Sequence, residues 1–469
     1  MPSKLSYLDL LSLDSAGLQI KLNSGLLTSV ELVQECLAQI DKHDQRGAKL
    51  NAMISVVPSR LLMERSAHLD LTGYFPRLDN LTLLKLEEMS AIILGKTNLN
   101  VSKTHALVQS SLNVWRQEFC NFDFDFDPSP ICTSLIDHRG DVNSNGWSAV
   151  GGQTQSAYIA LRENETGVGQ SVLDPCGSST GSAVGISAGY APLALGTELI
   201  GSIVMPASRA GLYALKPTLN SVDMDGVFQS SLELDVVGGL ARSAADLAIL
   251  SHACFKAEKR NLLPGGGYLK FLTGDSDSPR IGFLDSAKWL LHPDIVNLDK
   301  GTLDQMNEIY LAAIQRIKEH SSADSVVHPI DIPHATELWY EGQNPIDIIM
   351  YQNQLLKASR DPPTEEIYET FKKRMRLIST ENGIDKLFDE QNLNILAFPM
   401  DSPITSGTYT GYPIATMPLG VIPEDGRPYG LGIMAQAGRE DLMFQFMSAF
   451  EAHFPPRVVP SRVRDDDSI

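Results

Sequence analysis

The sequence predicts an α/β layered fold built around a largely buried sheet, and two observations carry that prediction. Short alternating or continuous apolar runs bounded by turn residues recur at Met53 to Val57, Ala91 to Leu94, Ile281 to Leu284 and Ile395 to Phe398, and read as strands. Segments with helical spacing separate them, notably Asp246 to Lys256, Asp304 to Glu319 and Asp441 to Phe454. Strands interleaved with helices need both sheet faces covered, hence the layers.

Taken in order along the chain, Thr28 followed by Glu31 is a capping box. Leu32, Val33, Cys36, Leu37 and Ile40 recur behind it at helical spacing, so an amphipathic helix of about 13 residues is expected there. Residues 107–145, with FDFDFDPSP and SLIDHRGDVNSN, show no consistent period and read as an irregular insertion. Residues 321–389 are charged and read as a peripheral helical layer, and 457–469 as an acidic tail. No internal repeat interrupts this, so one domain over 1–469, with a core of about 5–456, is the expected organisation.

Composition narrows the function classes. The chain has 469 residues, 43% hydrophobic and 20% charged, which fits a folded protein and neither a disordered polymer nor a fibre. Its 38 Lys+Arg against 57 Asp+Glu leave a formal charge of −19, which repels phosphate backbones and anionic lipid, and there is no basic patch to offset it. Nucleic acid is therefore not an expected partner. The five cysteines, at 36, 120, 132, 176 and 254, match neither a disulfide framework nor a CxxC motif, so reduced thiols are expected. Asp and Ser break the apolar pattern of the first residues, and no later run approaches ~20 apolar residues. A cytoplasmic protein without a membrane span is the expectation. The ten histidines show no metal-ligand spacing such as HExxH.

The most informative stretch, DPCGSSTGSAVGISAGYAPLALGTELIGSIVMPASRAGLYALKPT, runs from Asp174 to Thr218 and concentrates small residues and hydroxyls. A Gly/Ser loop lets a backbone approach a ligand closely, offers unpaired amides as an anion cradle and supplies hydroxyls that relay protons. This stretch resembles the signature of the amidase signature family: a GSSGGS loop, a small-residue helix, a GTDxGGSIRxPA loop and a GLKPT turn. The resemblance extends in family order to LNAMISVVP at 50–58, SAIILGKTNL at 90–99, GWSAVGGQT at 146–154, and the GYPIATMPLG and GRPYGLGIMAQ segments. It implies the amidase signature fold, a mixed central β-sheet covered by helices on both faces.

The resemblance also implies a mechanism in which a serine, a cis-serine and a lysine hydrolyse amides through an acyl-enzyme. By motif, Ser202 of IGSIVMP matches the nucleophile. Ser178, in GSSTGS, matches the bridging serine with its cis peptide. The backbone amides of Leu199, Ile200, Gly201 and Ser202 match the oxyanion hole. No metal or organic cofactor is implied, and the partner is a small-molecule amide, with a homodimer left open.

Two departures stand out. The family supplies its lysine from a strand like GIPVLLKDN between the LNAxI and GKTN segments, whereas here residues 58–89 contain no such strand. Lys85 and Lys96 do not match the relay lysine, and Lys103 is the residue that falls nearest the expected cleft as a substitute base. Ile200 stands where the family has Gly, Asp or Asn, residues that tolerate a left-handed backbone, so strain of ~1 to 2 kcal/mol is expected in the oxyanion loop. Three readings follow: a serine amidohydrolase of impaired activity, a catalytically silent relative that binds a small molecule or partner, and an α/β-hydrolase-type esterase using Ser187 of the GxSxG at 185–189.

Overall fold

The computed structural model describes residues 7–59, 94–98, 146–148, 152–160, 177–225, 227, 229, 233–265, 267–275, 279–289, 300–322, 324–333, 364–400 and 410–464. Two short ribbons come first: β1 (Met53–Val56) pairs antiparallel with β2 (Gly95–Thr97), and β3 (Trp147–Ser148) with β4 (Gly152–Gln153). The remaining strands are β5 (Leu193–Glu198), β6 (Tyr213–Lys216), β7 (Val236–Ala241), β8 (Ile281–Leu284), β9 (Val326–Ile330), β10 (Ile395–Pro399), β11 (Ile414–Val421) and β12 (Pro428–Met434). They form one eight-stranded sheet in the order β5-β7-β6-β11-β12-β10-β8-β9. Neighbours are antiparallel from β5 to β10, and β10, β8 and β9 run parallel, so the sheet is mixed as expected.

Side chains alternate between two cores because successive residues of a strand point to opposite faces. Tyr213 and Leu215 of β6, Ile395 and Ala397 of β10, and Leu431 and Ile433 of β12 join one cluster. Ala214, Leu396, Phe398 and Met434 from the same strands join the other. Helices Ala244–Cys254, Lys300–Glu319 and Glu440–His453 contribute to the first cluster, and helices Thr180–Ser187, Val204–Arg209 and Asp385–Gln391 to the second. Both faces being covered explains the near-continuous apolar runs: every residue of β6, β7, β8, β10 and β12 is buried.

Two adjacent glycines of β7 set how closely the layers approach. A Cβ at Gly238 would lie 2.9 Å from Ile203 Cδ1 on one face, and one at Gly239 would lie 2.8 Å from Leu250 Cδ2 on the other. The strand is therefore thin where the loop after β5 crosses it.

The helix expected after Thr28 spans Ser29–His43 and carries the capping box, with Thr28 N–H donating to Glu31 Oε2 at 2.9 Å and Glu31 N–H to Thr28 Oγ1 at 3.2 Å. Part of the 321–389 segment departs from expectation, since Val326–Ile330 is β9, an edge strand of the central sheet. Its VVHPI run is β-branched, and Pro329, lacking an N–H, is tolerated at an edge. The helical reading holds from 365, in Glu365–Ser379 and Asp385–Gln391, joined by a π-helical turn at Thr380–Ile384. The 107–145 insertion lies outside the described residues. The first part of the tail is docked rather than free: Arg457 donates to Gly211 O at 3.0 Å and Leu11 O at 2.6 Å, and Arg462 to Ala48 O at 2.8 Å. Among the described residues no helix is long and apolar enough to cross a membrane, and no group of three His, Cys, Asp or Glu side chains is arranged to hold a metal ion.

Candidate active site

The Gly/Ser loop leads into the helix Thr180–Ser187, and every residue of that helix is buried. Small side chains are what allow this. A Cβ at Gly181 would lie 2.4 Å from Asn98 N and 2.6 Å from Ala52 O, so the helix start touches the backbone of the segments around β1 and β2 directly. Asn98 ties the contact together: its N–H donates to Ala52 O at 2.7 Å, its carbonyl accepts from Gly181 N–H at 3.1 Å, and its side-chain amide reaches Asn51 O, Gly152 O and Thr154 Oγ1. The hydroxyls are also committed. Ser182 Oγ donates to Leu195 O at 2.7 Å and meets Thr97 Oγ1 at 2.8 Å, while Ser179 Oγ donates to Thr197 O and accepts from Thr197 N–H, both at 3.1 Å. Hydrogen bonds of this density among buried groups favour a unique packing, although Asn98 Oδ1 has no partner among the described residues.

These contacts bring the Gly/Ser loop onto the segment after β5. Ser179 N–H donates to Ser202 O at 3.0 Å, and a Cβ at Gly177 would lie 3.3 Å from Ser202 Cα. Ser178 and Ser202, each between buried and exposed, therefore sit on two segments in direct contact. Ser202 lies just before the helix Val204–Arg209, where Met205 N–H bonds back to Gly201 O at 2.9 Å. Among the described residues, none of the amides of Leu199, Ile200, Gly201 and Ser202 donates to a backbone carbonyl. Amides left unspent by the backbone are what an oxyanion cradle requires.

Buried charge lies behind this loop. Glu198, 1% exposed, accepts from Ile203 N–H at 2.7 Å and Val204 N–H at 3.1 Å through Oε2. The Gly201 amide also faces this carboxylate, which leaves Leu199, Ile200 and Ser202 as the better oxyanion donors. Burial pushes the Glu198 carboxyl up, and the Lys216 ammonium and the loop amides pull it back down. Lys216 at the end of β6 is itself fully buried and donates to Tyr412 O at 2.8 Å. Burial lowers its amine to about 8, against the opposing pull of Glu198 and Glu440. The sequence quotes Lys216 inside ALKPT, yet nothing in the pattern marks it as a buried cation.

Several expectations are corrected. The cis peptide expected at Ser178 is absent; the cis bond found among the described residues is His328–Pro329, and the loop turns instead through Gly177 at φ +81°. A non-proline cis bond costs ~3 kcal/mol, and a left-handed glycine turns the chain without that cost. Ile200 is not left-handed either: Gly201 takes the positive φ, at +70°, so the branched side chain imposes no such strain. Ser187 does not form a nucleophile elbow. It is fully buried at the end of a helix, and its Oγ donates to Val184 O at 3.0 Å, so no substrate reaches it. Lys96 is exposed on β2, opposite Ser55 of β1. Lys85, Lys103 and Cys176 lie outside the described residues.

A family model described as Amidase matches residues 170–392. A Schizosaccharomyces pombe protein named as an amidase is 26% identical over 387 residues, covering 67% of this chain and 64% of that protein. An Arabidopsis thaliana protein named as an amidase is 26% identical over 340 residues, covering 66% and 63%. The chain thus spans just under two thirds of the length of these relatives. Native peptide amidase from Stenotrophomonas maltophilia superposes with a TM-score of 0.70 at 23% identity, over 95% of this chain and 98% of that one. That likeness shows the fold: the chain has the amidase signature fold.

Proposed function

We propose that this protein is a serine amidohydrolase that cleaves a carboxamide C–N bond through an acyl-enzyme, with turnover well below that of an intact serine–serine–lysine relay. The observation that carries the reading is the junction of the two loops, with Ser179 N–H on Ser202 O and the amides of Leu199, Ile200 and Ser202 not spent on backbone carbonyls. In this scheme Ser202 Oγ attacks the amide carbon and its proton passes to Ser178, whose own proton passes to a neutral amine base. The oxyanion rests on the loop amides. Collapse breaks the C–N bond as the relay returns a proton to the leaving amine, and water then attacks the ester to release the acid.

The base is the weak step. The sequence between residues 58 and 89 lacks a motif like GIPVLLKDN, and Lys103 is the proposed substitute. The loss of a base from a hydroxyl nucleophile typically costs several orders of magnitude in rate. That same absence favours a second reading, a silent relative that retains the cleft to bind an amide-like ligand. The amidase names of relatives support an amide substrate, and the reading takes it to be a small linear carboxamide handled in the cytoplasm.

The test is a fluorophosphonate probe with adduct mapping, followed by hydrolysis of aryl and alkyl amides by wild type, Ser202→Ala and Lys103→Ala. Labelling at Ser202 and slow turnover lost in both variants are expected. Turnover that survives Lys103→Ala but not Ser202→Ala would identify another base. Ligand binding without labelling or turnover would favour the silent relative.

A further inference from the structure

The turn that leads into Ser178 is held by a side chain that the mechanism above does not use. Of the hydroxyls in GSSTGS, Ser179 and Ser182 are committed to the backbone of β5, at Thr197 and Leu195. Ser179 makes no side-chain cap on the helix Thr180–Ser187. Thr180 turns back toward the loop, and its Oγ1 donates to the Gly177 carbonyl at 2.6 Å. That carbonyl belongs to the planar peptide joining Gly177 to Ser178, so the bond fixes the plane from which Ser178 departs.

Packing secures both ends of this hydrogen bond. Thr180 is fully buried, and a Cβ at Gly146, whose φ is +75°, would lie 2.9 Å from Thr180 Cγ2. The methyl group thus rests against backbone that a glycine alone brings so close. At the other end Gly177 takes φ +81°, and a Cβ there would lie 2.7 Å from Pro206 Cδ and 3.3 Å from Ser202 Cα. Pro206 lies in the helix Val204–Arg209, which begins just after Ser202. The Thr180 hydroxyl therefore reaches a turn seated directly on the nucleophile segment, which Ser179 N–H also grips through Ser202 O at 3.0 Å.

We propose that Thr180 is a positioning residue for Ser178: its hydroxyl sets the Gly177–Ser178 peptide, its methyl group anchors that hydroxyl against Gly146, and together they keep Ser178 in register with Ser202. The inference rests on the reading of Ser202 as the nucleophile and Ser178 as its proton relay. A β-branched side chain suits the task, because few χ1 rotamers are open to it and one of them serves the methyl contact and the hydrogen bond at once. Without the hydroxyl the Gly177 carbonyl loses this donor, and a glycine is the residue best able to turn its peptide elsewhere.

The experiment compares wild type, Thr180→Val and Thr180→Ser in the full chain, with two readouts. One is the rate of fluorophosphonate labelling at Ser202 per folded molecule; the other is hydrogen exchange of peptides covering 177–182, referenced to β10 and β12. Thr180→Val keeps the shape and loses the hydroxyl, and should slow labelling by about fivefold or more and speed exchange in the loop alone. Thr180→Ser keeps the hydroxyl and loses the methyl group, and should recover most of the labelling while lowering the unfolding midpoint. A merely structural role predicts the reverse order, with the void against Gly146 in Thr180→Ser doing the greater harm. That order, or labelling and loop exchange unmoved by Thr180→Val, would overturn the inference while leaving the nucleophile reading intact. If wild-type Ser202 does not label at all, the nucleophile reading falls, and exchange decides alone: a loop loosened by Thr180→Val and not by Thr180→Ser shows the hydroxyl setting the turn, and equal exchange refutes it. Thr180→Ala, read against Thr180→Ser, isolates the hydroxyl where Thr180→Val does not fold.

Discussion

The two faces of the central sheet are built on different principles. The face under Ala244–Cys254, Lys300–Glu319 and Glu440–His453 is filled by bulk, with Phe255, Tyr268, Phe283, Tyr310, Phe444 and Phe450 buried together and Tyr268 packed on Phe444 at 4.8 Å between ring centroids. The face that carries Ser202 also buries Trp289, Phe388 and Phe398, but beneath the Gly/Ser loop it is filled by close approach, with Ala183, Ala207 and Ala210 in its core and backbone touching backbone at Gly181. Volume specifies the first and polar accounting the second: Ser179, Ser182, Asn98, Glu198 and Lys216 are all buried and hydrogen-bonded on the second side. A site of hydroxyls and amides needs such a setting, because its groups must be held to tenths of an ångström by partners rather than by pressure.

The largest expected effect breaks the bulk-filled face. Phe444→Ala should cost about 3–5 kcal/mol in urea or guanidinium unfolding, the usual range for a large aromatic removed from a packed core. Labelling of Ser202 per folded molecule should stay unchanged, because the cavity opens on the far side of the sheet. A labelling defect in folded Phe444→Ala would show that the two faces are not independent.

Gly181→Ala tests the other face with one methyl group. The new Cβ would fall 2.4 Å from Asn98 N and 2.6 Å from Ala52 O, backbone atoms that cannot swing aside. Overpacking of this kind costs about 1–3 kcal/mol, and more where backbone must shift. Here the loss of Ser202 labelling should exceed what the unfolded fraction explains, since the helix start displaced by the methyl is continuous with Ser178 and Ser179. Normal labelling would mean that the close approach serves stability alone.

The scaffold was more legible in the sequence than the site. Ile281–Leu284 and Ile395–Pro399 are uninterrupted apolar runs and were readable as strands, and the helix Ser29–His43 announces itself through its capping box. β7 was not readable, because VVGGLA places two weak strand formers at its centre, and those glycines are there for the layers packed on either side. β9 hid behind His328 and Pro329 in a charged neighbourhood. At the site, motif order located the segments that meet, but not what holds them. Whether Gly201 or Ile200 takes the left-handed conformation, and whether Lys216 is buried, depend on contacts with β5, β7 and β11 that no local pattern encodes.

A control away from both faces sharpens the contrast. Thr28→Ala removes the side-chain half of the capping box on an exposed helix start, leaving the Glu31 amide without its acceptor. Loss of such a cap costs about 1 kcal/mol. Labelling of Ser202 and its pH dependence should be untouched, and a change in either would show that the N-terminal helices communicate with the loop.

The smallest effect concerns the seam where the N-terminal helices meet the bulk-filled face. Glu451 accepts from Ala244 N–H at 3.4 Å, and burial, with Asp14 and Asp246 nearby, raises its carboxyl to about 7 despite that hydrogen bond. In the unfolded chain the carboxyl ionises near its ordinary value of 4.5, so between there and about 7 the folded protein holds the proton that the unfolded one has lost. Stability therefore falls as pH rises through that window, the opposite sign to a carboxylate stabilised by a salt bridge. Glu451 is exposed to solvent, so screening should keep the effect below about 1 kcal/mol. Glu451→Gln neither gains nor loses a proton, so its unfolding midpoint relative to wild type should rise from pH 5 to pH 8. A difference that stays flat over that range would place the titrating group elsewhere in the seam, with Asp246, whose carboxyl burial also raises, as the next residue to replace.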